Sequence, residues 1–466
     1  MTRPSVTAAA PLTPPHDADG PAPAPALQRR FGVFHLWGIA VGLVISGEYF
    51  GWSYGWATAG TLGFLVTTFM VALMYAALIF SYTELTTSIP KAGGPFAYVL
   101  AAYGPVPAFL TGFASIMEFV FAPPAIALAI GAYLHVQYPD VSASTAATGA
   151  YVVFMALNIF GVNIAATFEL VITIAAIAEL LVFMIVVMPG FSWANFVHDG
   201  WAGSDTFSLH AVGGILAAVP FAIWFFLAIE GVAMTAEEAH TPHRTIPVAY
   251  IAGIMTLMVL AFGIMILAGG VGDWKTLASL NDPLPQAMLS VVGPRSGYVH
   301  MLVWLGLFGL VASFHGIIMG YSRQIYAMAR EGYLPVVLGR LHPRFGTPWA
   351  ATLAGGIVGM LAIYGDRYIT IGGQPLTANI VTISVFGALT MYLFAMASLF
   401  RLRHRQPERV RPWSVPGYPV VPVFAFVAAS CALVGMAASH LAIFGIYVVF
   451  MVMGLTVYLI SRRAEA

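Results

Sequence analysis

What most constrains this chain is how rarely a charge interrupts it. From Phe31 onward, apolar runs of spanning length follow one another with only short polar stretches between them. Hydrophobic residues make up 60% of the sequence and Asp, Glu, Lys and Arg together 8%, where soluble chains are about one quarter charged. Such a chain has too little polar surface to cover itself in water, so lipid must be its solvent. The formal net charge is zero, which points to no polyanionic or nucleic-acid partner. Cys431 is the only cysteine, excluding intramolecular disulfides and thiolate metal clusters. No cofactor or metal is expected.

Twelve apolar segments are long enough to span or nearly span a bilayer: 33–58, 61–84, 94–134, 148–163, 168–189, 211–238, 246–269, 298–329, 350–365, 378–400, 420–438 and 441–460. A straight span takes about 20 residues, so the third and eighth have length to tilt and the fourth and ninth are short. With twelve spans both termini share one side. That side receives all of the 19 Lys and Arg except Lys275, Arg295 and Arg367. The positive-inside rule makes it the cytoplasm, in the cytoplasmic (inner) membrane. Residues 1–30, rich in Pro and Ala without an apolar run, read as a disordered cytoplasmic tail, not a signal peptide.

Two segments carry a carboxylate among glycines. The first contains VISGEYFGWSYGW, with Glu48 between Gly47 and Gly51, and the sixth contains FFLAIEGVAM, with Glu230 beside Gly231. A charge at mid-membrane costs at least about 2.5 kcal/mol, so it faces a cavity or a partner. Glycine lets a helix unwind, and unwound backbone at that depth survives where it lines a cavity. Spans one and six open two five-span halves, and breaks at matching places point to the binding site of an inverted-repeat transporter. For a lone glycine, close helix packing would be the better explanation.

Four further stretches carry a family resemblance. TELTTSIPKAGGPFAYVLAAYG (83–104), EEAHTPHRTIPVA (237–249), YSRQIYAMAREGYLP (321–335) and RPWSVPGYPVVPVF (411–424) resemble the amino acid–polyamine–organocation superfamily. Within it, the two Gly-Glu segments most resemble the ethanolamine permease branch. The resemblance implies an all-α integral membrane protein with a LeuT-like fold: two inverted five-helix repeats, helices 1 and 6 broken, plus two appended helices. The repeats would be 31–190 and 211–402, joined by an external linker at 191–210, with a cytoplasmic linker at 403–418 before 419–466. It also implies alternating-access import of a small amine, usually with a proton as coupling ion. A neutral or cationic amino acid permease of the same fold is the alternative, and a transporter-like sensor a distant one.

In the superfamily's amino acid carriers a Gly-Ser-Gly-like turn in helix 1 receives the substrate carboxylate. One register sets Gly51-Trp52-Ser53 in that turn, where the Trp52 indole would crowd out a carboxylate and favour ethanolamine. A second register sets Ser46-Gly47 there and restores a carboxylate site. The ammonium site of the family uses free carbonyls, here those of Tyr49, Trp224 and Leu227. Glu48 would supply the countercharge and the Trp224 ring a cation–π face.

The other intramembrane acids carry two readings each. Glu230 is either an amine contact or coupling group, or a helix-end carboxylate bonded to backbone donors of the break. Glu118, one turn before Pro123-Pro124, either meets the ammonium or bonds a hydroxyl on a neighbouring helix. Some proton-coupled relatives carry a lysine in helix 5; the matching residue here is Ala176, and Glu179 three residues on is a candidate protonation site. Glu84 and Glu169 are expected near the hydrated cytoplasmic interface in structural roles. His315 is a relay or hydroxyl contact, or a packing residue. Phe121, Phe225 and Phe226 are gate candidates. The twelve histidines are scattered and neither a P-loop nor HExxH is present, which argues against an ATP-driven pump or a zincin.

Overall fold

A computed structural model describes Arg29 and residues 31–465, apart from Gly161, Arg295, Arg367, Gly372 and Gly373. The amino-terminal tail expected at 1–30 therefore lies outside the described residues except at Arg29, as do Arg295 and Arg367. The chain is helical nearly throughout: α1 (Val33–Gly42), α2 (Ser46–Tyr49), α3 (Ser53–Ser88), α4 (Pro95–Tyr103), α5 (Pro105–Gln137), α6 (Ala143–Phe160), α7 (Val162–Val187), α8 (Trp193–Val197), α9 (Leu209–Ala217), α10 (Val219–Trp224), a 3-10 helix Ile229–Glu238, α11 (Pro242–Gly270), α12 (Pro283–Val292), α13 (Gly297–Arg330), α14 (Trp349–Gly365), α15 (Leu376–Arg405), α16 (Val420–Ser439) and α17 (Leu441–Glu465). Ten helical stretches are long and apolar enough to cross a membrane. The first and ninth expected segments form shorter apolar helices, Val33–Tyr49 and Trp349–Gly365.

Glycine and proline set several boundaries. The third expected segment is two helices, because Gly104 takes φ +86° and Pro105 restarts the chain as α5. Pro123 and Pro124 do not end α5, which continues to Gln137. The first and second segments join through α3, kinked at Gly60 (φ +70°, ψ 177°). There the backbone oxygen of Gly200 accepts from the N–H groups of Leu62 (2.9 Å) and Gly63 (3.1 Å), and Ala202 N–H donates to Ala59 O (2.7 Å).

Burial separates an inner bundle from an outer ring. Residues 219–236 are buried without exception, and α5 packs along both α13 and α15. By contrast α16 and α17 leave Val427, Val434, Val449, Met453 and Ile460 exposed. Apolar side chains on that outer face are what lipid contact requires. At one end of the bundle the start of α1 is tied to the end of the sixth segment: Phe31 N–H donates to Glu238 O (2.9 Å) and His240 N–H to Phe31 O (3.0 Å). Glu238 also accepts from Arg323 Nε (2.8 Å).

A Cβ at residue 60 would sit 2.4 Å from the Gly200 oxygen, on a left-handed backbone. Gly60→Ala is therefore expected to cost about 1–3 kcal/mol, read as a lower Tm of the detergent-purified protein. An unchanged Tm would show that the kink tolerates a side chain.

Candidate functional site

The first segment breaks twice. α1 stops at Gly42, residues 43–45 turn, α2 makes one helical turn, and Phe50 is extended (φ −158°, ψ 174°). Gly51 then takes φ +90° before α3 begins. The sixth segment unwinds after Trp224 and passes through Ala228 at φ +77°, a left-handed conformation that an alanine holds only under the constraint of its surroundings. The two breaks press on each other. A Cβ on Gly47 would lie 2.4 Å from the Trp224 carbonyl oxygen, and one on Gly51 2.5 Å from the Trp224 ring. Here the glycines serve both unwinding and close packing.

Between the breaks lies a cavity of about 10 Å³, room for about one water. Leu43, Val44 and Ser46 of the first segment line it, with Trp224, Leu227 and Ala228 of the sixth and Ala122, Ile126 and Ile317 around them. Gly51, Trp52 and Ser53 do not. The cavity wall thus meets the Ser46-Gly47 register and not the Gly51-Trp52-Ser53 one. The Trp52 indole N–H donates to Glu48 O (3.0 Å), and its ring stacks on Phe225 (6.1 Å) and meets Trp56 edge-on (4.7 Å). Ser53 Oγ donates to Leu280 O (2.9 Å). Trp52 is thus a packing residue of the junction and not a wall of the cavity.

Ser46 Oγ donates to Ser313 Oγ (2.8 Å), which donates to Leu43 O (2.5 Å). The N–H groups of Gly47 and Glu48 reach Val44 O (2.8 Å) and Ile45 O (3.0 Å). Across the junction, Phe226 N–H donates to Ile223 O (2.9 Å) and Gly231 N–H to Ala228 O (2.9 Å). Most donors able to hold an anion are therefore already used. Trp224 Nε1, buried and without an acceptor, is the exception among the cavity-lining side chains.

The acceptors are different. Glu48 is fully buried and neither carboxylate oxygen has a partner. Glu118 and Glu230 are fully buried and lie close to each other, and neither Glu118 carboxylate oxygen nor Glu230 Oε1 has a hydrogen-bond partner. Tyr392 Oη donates to Glu230 Oε2 (2.9 Å) and pairs with Tyr75 Oη (2.9 Å). Glu230 stands in the first turn of the 3-10 helix, so its helix-end reading fits the geometry. The hydroxyl of Ser384 reaches the Glu118 carbonyl (2.9 Å) and not its carboxylate. Glu179 Oε2 accepts from Tyr49 Oη (2.6 Å). Between residues 31 and 243 the only Lys or Arg is Lys91, so these acids have no basic partner in their own half of the chain.

Four expectations change. The Tyr49 carbonyl already accepts from Tyr133 Oη (3.2 Å). Phe121 is half-buried and packs on Phe450 of α17 (6.0 Å), on the outer side of α5; it does not line the cavity. His315 does not line it either: its Nδ1 lies 3.2 Å from Glu169 Oε2, both groups buried. Glu169 is therefore not hydrated at an interface. Glu84 is a structural ion pair, accepting from Arg403 Nε (2.8 Å) and Val415 N–H (2.8 Å). Phe225 and Phe226 sit at the junction, Phe226 against Tyr75 (5.4 Å). The carboxyl pair and the Ser46–Ser313 bridge escaped sequence reasoning, since neither spacing nor composition pairs residues on different helices.

An integral membrane bundle whose two broken segments enclose a small cavity is the architecture of a carrier. The amino acid permease family model matches residues 31–461, and the chain belongs to that family, within the amino acid–polyamine–organocation superfamily. It is 31% identical to an uncharacterized transporter of Rhizobium meliloti over 403 residues, 84% of this chain and 83% of that one. It is 23% identical to the branched-chain amino acid permease BcaP of Bacillus subtilis, covering 95% and 94% of the two chains. Identity to the methylthioribose transporter of the same organism is 27%, over 85% and 86%.

Because Gly47 meets backbone and not a movable side chain, Gly47→Ala is expected to force the two breaks apart. The variant should lose transport while still reaching the membrane, measured as uptake in vesicles normalised to protein. Wild-type uptake would show that the breaks do not need this contact.

Proposed function

We propose that this protein is a secondary active transporter that imports a small organic amine, ethanolamine being the best candidate. The observation that carries the reading is the imbalance at the junction: acceptors without donors. Glu48 offers two unpartnered oxygens, while the turn's N–H groups and the Ser46 hydroxyl are used within the protein. A desolvated carboxylate is costly without a partner, and an ammonium provides three donors and the opposite charge. The Trp224 indole N–H is a single donor, suited to one hydroxyl oxygen. A bound carboxylate would find no basic residue on the cavity wall to offset its charge.

Transport then follows from the two breaks. The cavity admits about one water, so the substrate enters only when the first and sixth segments part. Glu48 and the carbonyls of Trp224 and Leu227 would hold the ammonium, with the Trp224 face adding cation–π attraction. Phe225, stacked on Trp52, and Phe226 would close over it. This reading includes twelve spans with the inverted five-helix repeats, cytoplasmic termini in the cytoplasmic membrane, and a proton as coupling ion. Glu179 and Glu230 remain coupling candidates on it, each with one tyrosine donor.

The second reading is a neutral or cationic amino acid permease. It draws on Ser46 at the cavity wall, the place of the family's carboxylate turn, and on the relative named as a branched-chain amino acid permease. Uptake of labelled ethanolamine into proteoliposomes, with excess unlabelled serine or leucine as competitor, separates the two. Concentrative uptake that neither amino acid inhibits is expected. Accumulation of labelled amino acid in place of ethanolamine would make the second reading the right one.

Glu48→Gln should weaken ethanolamine binding by about 1.5–3 kcal/mol, the worth of a hydrogen bond to a charged group. The check is the concentration giving half-maximal uptake. An unchanged value would remove Glu48 from the site.

A further inference from the structure

Glu169 and His315 form the one buried acid–imidazole pair among the described residues, and the substrate site makes no use of it. Glu169 Oε2 faces His315 Nδ1, but Glu169 Oε1 has no partner. That free oxygen is wedged against the end of the first half-helix: a Cβ on Gly42 would lie 2.3 Å from it, and one on Gly316 3.1 Å. Gly42 is the last residue of α1. The same end is held by two hydroxyls, Thr173 Oγ1 donating to Gly38 O (3.3 Å) from α7 and Ser313 Oγ to Leu43 O (2.5 Å) from α13. The acid and the histidine thus belong to the two helices that clasp α1 just before it breaks.

A helix C-terminus carries partial negative charge. With a neutral imidazole and an ionised carboxylate, the pair brings a full negative charge against it in a low-dielectric setting, and the two repel. One proton held between Nδ1 and Oε2 makes the pair neutral as a whole, whichever atom carries it, and removes the repulsion. The surroundings leave the pair to set this balance. Phe154 of α6 and Phe168 of α7 flank the imidazole ring (6.1 and 6.0 Å), α1 presents glycine backbone, and among the described residues His315 is the titratable side chain that faces Glu169.

We propose that Glu169 and His315, in place of Glu179 or Glu230, are the site that takes up the coupling proton, and that proton occupancy decides whether α1 stays seated against α7 and α13. The inference rests on the carrier reading above. One proton is bound from one side of the membrane at Nδ1 and Oε2 and leaves to the other when α1 moves. No other bond is made or broken.

The test uses full-length protein in proteoliposomes with labelled ethanolamine, in two assays. Counterflow, in vesicles preloaded with unlabelled ethanolamine, needs binding and alternating access but no net proton movement. Accumulation under an inward proton gradient needs both. Glu169→Gln and His315→Gln are expected to keep counterflow and lose accumulation, with pyranine trapped inside no longer reporting substrate-linked acidification. Variants that accumulate like wild type overturn the proposal. So does loss of counterflow in both, which would place the pair in substrate binding or folding, and so does wild type that exchanges ethanolamine without proton-driven accumulation. If wild type neither exchanges nor accumulates ethanolamine, the amine reading has failed instead. Labelled leucine and serine under the same gradient then test the pair on their own.

Discussion

The approach of Gly47 to the Trp224 carbonyl is the contact on which the centre of this protein depends. Two helices can meet backbone to backbone only where one lacks a side chain, and here the glycine lies in one break and the carbonyl in the other. Everything else at the junction is arranged around that proximity. Trp52 folds back onto its own segment and stacks on Phe225, and Gly51 leaves space for the Trp224 ring. Ser313 reaches from α13 to fix the carbonyl at which α1 ends. A cavity of about one water remains, so a modest separation of the two segments changes its size by a large factor. Close packing at the junction leaves little room for gradual adjustment.

Much of the bundle was legible in the sequence because lipid imposes a simple rule on every span. Hydropathy located the apolar segments, and the two Gly-Glu stretches marked the broken ones. Boundaries failed where a local conformational rule intervened. The third segment reads as one apolar run from 94 to 134, but Gly104 and Pro105 split it into α4 and α5. The ninth is apolar yet short, and hydropathy cannot decide whether such a helix crosses.

The candidate site was legible in its membership more than in its arrangement. Trp224 and Leu227 line the cavity, and Glu48, two residues past the lining residue Ser46, does not. The register did not follow from sequence, since Ser46-Gly47 and Gly51-Trp52-Ser53 both offer a small polar residue beside glycine. Only the packing of Gly47 on Trp224 and the course of the Trp52 side chain distinguish them. Phe121 illustrates a related limit. It lies five residues from Ile126 and one from Ala122, both on the cavity wall, yet it packs outward on Phe450, because neighbouring positions on a helix face different directions.

The distribution of charge carries the argument from site to function. Between residues 31 and 243 the only Lys or Arg is Lys91, and arginine meets a buried acid at Glu84, through Arg403, and at Glu238, through Arg323. The acids of the interior must be neutralised by other means. Glu179 has a tyrosine hydroxyl, Glu230 has Tyr392, and Glu169 has an imidazole. The carboxylates of Glu48 and Glu118 have no hydrogen-bond partner in the protein. A carboxylate buried that completely stays charged only beside a cation, so an acid left without a partner is where a cationic substrate gains most by binding. On the same logic the paired acids suit a proton, which arrives and leaves without displacing the groups that hold it.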